Sequence, residues 1–210
     1  MKVSFAGGKK LTAGTYQLTR QDIEQQALSD LAKYVRLFQE RHGGSVTYPL
    51  DVDHMAKELW GASVSYRGIP QSVDEEVLGY YDHSKKEIVV DPEVCSSDGR
   101  TTFTVAHELG HISLHSCIMA FPQQGAKQKK SDKTWRLEWQ ATRYAVSLLA
   151  PRTRVYDKLR ELGLVQLGVA QTVDLAVHAA VLQDAFGLSR QALEIRLEEM
   201  NISTLHRRYD

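Results

Sequence analysis

Three residues have the types and spacing to do chemistry: His107, Glu108 and His111. They stand in His107-Glu108-Leu109-Gly110-His111, within a proline-free run from Phe103 to Leu114 whose mostly apolar face reads as a buried helix. Residues four apart on a helix are separated by about 40° in angle and roughly 6 Å along the axis. The two imidazoles therefore point the same way and can share one tetrahedral ion. Glu108 stands about 100° round from His107, a poor place for a third ligand and a good one for reaching a water on that ion. A metal-bound water loses its proton near neutral pH, and a carboxylate beside it can accept that proton. This is the arrangement of zinc hydrolases, although the pattern by itself specifies only three residues.

A catalytic zinc usually has three protein ligands and one open position, so a third ligand is expected. His115 fails on geometry: eight residues along a helix from His107 is about 12 Å, and His115 reads instead as a polar helix end or a satisfied interior histidine. Nor does a glycine turn of the extended metzincin kind follow His111. Glu138 is the better candidate. Trp135 to Ala150 reads as a helix with an apolar stripe of Trp135, Ala141, Ala145, Leu148 and Leu149, and Glu138 falls in that stripe. A carboxylate on an inward face costs free energy unless it is paired or bound to a metal. The competing reading is an ion pair with Arg136 or Arg143.

The stretch from Thr102 to His115, Thr-Phe-Thr-Val-Ala-His-Glu-Leu-Gly-His-Ile-Ser-Leu-His, followed by Glu138 to Pro151, Glu-Trp-Gln-Ala-Thr-Arg-Tyr-Ala-Val-Ser-Leu-Leu-Ala-Pro, resembles the ImmA/IrrE family of metallopeptidases. The resemblance extends over roughly residues 20 to 200 and is strongest from 100 to 151. It implies that His107, His111 and Glu138 hold the metal and that Glu108 is the general base. The family often has Asn or Asp where this chain has Thr142, a position from which a ligand histidine can be oriented. The cofactor implied is Zn2+, with another divalent ion such as Mn2+ as the alternative.

The elements that must position these residues can be read from the same pattern. Arg20 to His42 is expected to be a helix, with Ile23, Ala27, Leu31, Tyr34, Val35 and Phe38 inward and Gly43-Gly44 ending it. A shorter helix follows Pro49, with Val52, Met55, Ala56 and Leu59 inward and Gly61 as its stop. Ala62 to Arg67 alternates like a strand, and Val77 to Tyr81 and Glu87 to Val90 read as a hairpin closed by Asp91-Pro92. Cys95 to Arg100 then leads into the motif helix. Met119 to Thr134 is a lysine-rich polar loop, read as solvated rather than as a lid. Beyond Pro151 three helices are expected, over Thr153 to Leu162, Thr172 to Phe186 and Ser189 to Met200, the last two joined by a turn like that of a helix-turn-helix.

The fold expected is α+β: a zincin-like domain with a small sheet packed on the motif helix, plus a helical C-terminal part. Its divisions are a flexible arm over 1–19, the metallopeptidase domain over 20–151 and a helical part over 152–210 for docking or structure. The 210 residues carry a formal net charge of zero, so no global field favours nucleic acid. The last helix sets Glu194, Glu198 and Glu199 against Arg190 and Arg196, which argues against a DNA reader. No apolar run is long enough for a membrane span and the N-terminus lacks a signal-peptide core. Cys95 and Cys117 match neither a metal-binding nor a disulfide pattern, which together point to a cytoplasmic protein with reduced thiols.

The reaction expected is peptide-bond hydrolysis, with Tyr80, Tyr81, Tyr144 and His178 as open alternatives for the oxyanion donor. The resemblance implies a narrow substrate, a helix-turn-helix repressor on a separate chain. The alternative function is a non-catalytic or weakly catalytic module that holds such a regulator, against which the presence of a base at Glu108 argues; a purely structural zinc site is the third.

Overall fold

A computed structural model describes residues 9–10, 16–71, 76–115, 132–166, 169–170 and 172–205. In chain order the strands are β1 (Lys9–Lys10), β2 (Tyr16–Gln17), β3 (Ser63–Tyr66), β4 (Gly79–Asp82), β5 (Glu87–Val90), β6 (Val165–Gln166), β7 (Val169–Ala170), β8 (Val173–Asp174) and β9 (Thr204–Leu205). The helices are α1 (Arg20–His42), α2 (Val52–Trp60), α3 (Pro92–Cys95), α4 (Asp98–His115), α5 (Asp132–Leu149), α6 (Arg152–Glu161), α7 (Leu175–Phe186) and α8 (Arg190–Glu199). The architecture is α+β and rich in helix, as expected.

Local chemistry explains the boundaries. Thr19 and Asp22 form a reciprocal capping box at the start of α1, and Gly43 ends it at φ 68, a left-handed conformation that glycine adopts without steric penalty. Helix α2 starts at an Asp51 cap and stops at Gly61, φ 62. The motif helix α4 starts earlier than its apolar pattern suggests, because Ser97 accepts the Arg100 and Thr101 amides and so caps a first polar turn. The expected strand over Val77 to Tyr81 begins two residues late. Both backbone groups of Val77 are taken by the Gln71 side chain, at 2.8 and 3.0 Å, and are lost to the ladder. Helix α7 starts at Leu175 rather than Thr172, since Val173 and Asp174 pair in parallel with Thr204 and Leu205 and Asp174 then caps the helix.

The main sheet has the order β3-β5-β4, with β5 parallel to β3 and antiparallel to β4. Central β5 buries Ile88, Val89 and Val90 almost completely, as a strand flanked on both sides must. Edge strand β4 lies against the motif helix. A Cβ on Gly79 would stand 2.6 Å from the Thr104 methyl and 2.8 Å from the Val89 carbonyl, so only glycine permits this approach. One continuous apolar core runs from Ile23 and Tyr34 on α1 through Leu109 on α4 and Leu148 on α5 to Leu182 and Leu193 on α7 and α8. Arg196 of α8 is 1% exposed and is held inside by the Ala150 carbonyl at 2.7 Å and Glu24 at 2.7 Å.

Helices α4 and α5 meet at Gly110. A Cβ there would lie 3.1 Å from both Cα and O of Ala141 and 3.2 Å from Cβ of Tyr144. Those atoms are backbone or nearly so and cannot rotate aside, so Gly110→Ala must push the helices apart. Overpacking of this kind costs about 1–3 kcal/mol, against about 1 kcal/mol gained in helix propensity. The expected outcome is a net loss of stability in denaturant titration. Behind this seam Asp30 of α1 accepts from Ser113 of α4 at 2.5 Å and Tyr144 of α5 at 3.0 Å, tying the three helices together.

The expected loop is placed in part: Met119 to Ser131, with Cys117 before it, lies outside the described residues, and Asp132 to Thr134 belong to α5. Most of the N-terminal arm also lies outside them, apart from the antiparallel pair β1–β2.

Candidate metal centre

Helix α4 places His107 and His111 one turn apart, and α5 brings Glu138 across the seam to meet them. His107 Nε2 lies 3.1 Å from Glu138 Oε2 and 3.1 Å from His111 Nε2, while His111 Nε2 lies 3.5 Å from Glu138 Oε1. A tetrahedron with metal–ligand bonds of about 2.0–2.1 Å has edges of roughly 3.3–3.4 Å. Two imidazole nitrogens and a carboxylate oxygen at these spacings fit a zinc-type ion in both chemistry and size. Among the described residues these three form one of two groups able to hold a metal.

The proton positions favour the same reading. His115 is buried, and burial first, then the neighbouring His111, depress its pKa to about 4, so it is neutral at pH 7 with a single N–H. Its Nε2 is 2.9 Å from the Gln140 carbonyl oxygen and donates to it, which leaves Nδ1 as an acceptor for His111 Nδ1–H at 3.0 Å. His107 Nδ1 is 3.5 Å from Thr142 Oγ1, the partner available for its own N–H. With the proton of each ring on Nδ1, as these partners allow, each Nε2 would offer its lone pair towards Glu138. Burial opposes a charge on His111, but the carboxylates of Glu138 and Glu108 outweigh it and raise its pKa. Burial pushes Glu138 up, yet the two histidines hold it well below the usual carboxylate range.

Two expectations about Glu138 resolve differently. It does not pair with Arg143, which instead meets Glu199 at 3.1 Å and lies over the Trp139 ring. Nor is it inward: its side chain is 49% exposed, and Trp135 at the head of the expected stripe is 61% exposed. The half-exposed carboxylate meets the two histidines, themselves 17% and 13% exposed, across the α4–α5 seam. Glu108, 9% exposed, sits on the adjacent face of α4.

Of the four alternatives for the oxyanion donor, Tyr144 is fully buried and its hydroxyl donates to Asp30, so it cannot reach a substrate. His178 bonds the main-chain carbonyl of Asp174, the cap residue of α7. Tyr80 and Tyr81 remain on edge strand β4 beside the motif helix. His115 and Gln140 as supports of His111 were missed by sequence reasoning. The signal for His115 was the same four-residue spacing that joins His107 to His111.

A comparison with curated proteins finds no match. Among solved structures, a Mycobacterium tuberculosis transcriptional regulator is similar at 18% identity and a TM-score of 0.51, over 92% of this chain and 54% of that one. This likeness shows the fold, and the chain spans about half the length of that structure. No helix of the described residues is long and apolar enough to cross a membrane. The family model described as the IrrE N-terminal-like domain matches residues 69–198, which include β4, β5 and the helices that carry His107, His111 and Glu138. On this match the chain belongs to the family of the IrrE N-terminal-like domain, a metallopeptidase-like domain.

Proposed function

We propose that the protein is a zinc-dependent endopeptidase that cuts one specific regulatory protein, a helix-turn-helix transcriptional repressor. The observation that carries the hydrolytic part is the convergence of two Nε2 lone pairs and one carboxylate at mutual distances of 3.1–3.5 Å, beside the nearly buried Glu108. His107, His111 and Glu138 would hold the ion. When bound, zinc supplies Lewis-acid polarisation of the scissile carbonyl and lowers the pKa of water. Glu108 accepts the proton from the attacking water and delivers it to the leaving amine nitrogen. Thr142, His115 and Gln140 hold the ligand imidazoles in the tautomer that presents Nε2. The edge of β4 can pair with an extended substrate segment, which would bring its main chain to the site.

The substrate class rests on the resemblance to ImmA/IrrE metallopeptidases. A role as a regulator acting on DNA directly is disfavoured by α8: Arg196 is buried, and Arg190 is paired with Glu194 at 3.0 Å. Both arginines are thus committed within the protein rather than offered to phosphates. The cytoplasm is the compartment in which such a substrate is met. The test is incubation of the protein, with and without chelator, against casein and against a helix-turn-helix regulator encoded beside it, with products mapped by mass spectrometry. The expected result is metal-dependent cleavage of the regulator at one or two sites in a loop or locally unfolded segment, and intact casein. Broad casein digestion would refute the narrow specificity; a tight complex with an uncut regulator would establish the binding-module alternative.

A further inference from the structure

The end of α1 packs on α2 and brings together a second set of metal-ligating side chains. His42, the last residue of α1, meets His54 and Glu58 of α2, each offering one ligand atom within 4.8 Å of the others. His54 and Glu58 are four apart on their helix and so share a face. The two imidazoles stand edge to face with centroids 5.3 Å apart.

Each partner is already oriented. His54 Nδ1 lies 2.9 Å from the hydroxyl of Tyr34, which is 1% exposed. With the proton on Nδ1 and the Tyr34 oxygen accepting it, Nε2 of His54 presents its lone pair, the same outer-partner arrangement that orients metal-binding histidines generally. Phe38 packs against both rings, at 4.9 Å from His42 and 5.6 Å from His54. Glu58 is 12% exposed and accepts from Arg41 on Oε2 at 2.5 Å, which leaves its other oxygen for a cation. Arg41 is 55% exposed, so it can turn toward water when a cation neutralises the carboxylate.

We propose that His42, His54 and Glu58 form a second divalent-metal site that clips the C-terminal end of α1 to α2. Two imidazoles and one carboxylate suit a borderline transition ion such as Zn2+, Ni2+ or Cu2+ rather than Ca2+ or Mg2+. The ligand atoms lie within 4.8 Å of one another, a looser bound than the tetrahedron edge of roughly 3.3–3.4 Å. Drawing them onto bonds of about 2.0–2.1 Å needs roughly an ångström of movement, which the exposed His42 supplies by rotation about χ1. This site is therefore the weaker of the two, filling when metal is added in excess. Its role is structural: α1 carries Asp30, which is bonded to Ser113 of α4 and Tyr144 of α5, so an ion at the α1–α2 junction braces the scaffold behind the α4–α5 seam.

The test is a calorimetric titration of the metal-stripped full-length protein with Zn2+, repeated with Co2+ and read by its d–d absorption. Wild type should bind two equivalents. His42→Ala and Glu58→Gln should each weaken the second by more than about 10-fold, the lower bound for loss of even an outer partner, while the first equivalent and the melting temperature of the stripped protein stay unchanged. Glu138→Ala should show the reverse, losing the first equivalent and keeping the second, which separates this site from the proposed catalytic one. A single equivalent in wild type overturns the proposal. So does a second equivalent that survives both His42→Ala and Glu58→Gln.

Discussion

Glu108→Gln should keep the fold and the metal and lose hydrolysis. The side chain is nearly isosteric and lies on the face of α4 next to that of the two histidines, and the contacts of His107 with Glu138 and His111 do not include it. What the amide cannot do is accept the water proton. A positioned general acid–base group typically contributes 10²–10⁴-fold, and turnover of the regulator should fall by roughly that factor. Metal content after dialysis and the melting temperature are the controls. Unchanged turnover at unchanged metal content would remove Glu108 from the mechanism.

Glu138→Ala should cost the metal itself. Glu138 would supply the one anionic ligand, its Oε2 lying 3.1 Å from His107 Nε2 and its Oε1 3.5 Å from His111 Nε2, and without it only the two imidazoles remain. The variant is expected to lose the ion that wild type retains through dialysis, about one per chain for a single three-ligand site. His115→Ala provides the contrast. It removes the acceptor for His111 Nδ1–H, not a ligand, and should weaken the metal by about 10–100-fold, as outer-partner losses do. His115→Gln, which keeps an acceptor, should recover part of that. Elemental analysis after graded dialysis separates the two cases. Metal retained without Glu138 and abolished without His115 would reverse the ligand assignment.

The reach of the sequence differed between local and tertiary features. Helical spacing alone placed His107 and His111 together and Glu108 beside them, because a three-residue relation on one helix survives any packing. Glu138 was reached for a partly mistaken reason. Its spacing to Ala141 and Ala145 suggested burial, whereas its side chain is half exposed, a feature that depends on how α5 packs on α4. The ends of α1 and α2 were legible in Gly43 and Gly61, since helix stops are local chemistry; the caps Thr19 and Asp51 emerge from the structure. The parallel pairing of β3 with β5 was not, because no neighbouring residues encode a non-local register. Arg196 read only as one of the mixed charges of the last helix; the packing of α8 against Ala150 and Glu24 reveals a buried anchor. The meeting of His42 with His54 and Glu58 likewise exists only once α1 and α2 pack.

Restoring metal to the stripped protein while following cleavage of a helix-turn-helix regulator addresses the central proposal most directly, that hydrolysis runs at the site of His107, His111 and Glu138. Activity should be absent in the stripped protein, rise in proportion to added Zn2+ and reach its plateau at about one equivalent per chain, the occupancy of one three-ligand centre. Cleavage that persists in the stripped protein, or that is restored equally in Glu138→Ala, would contradict the account.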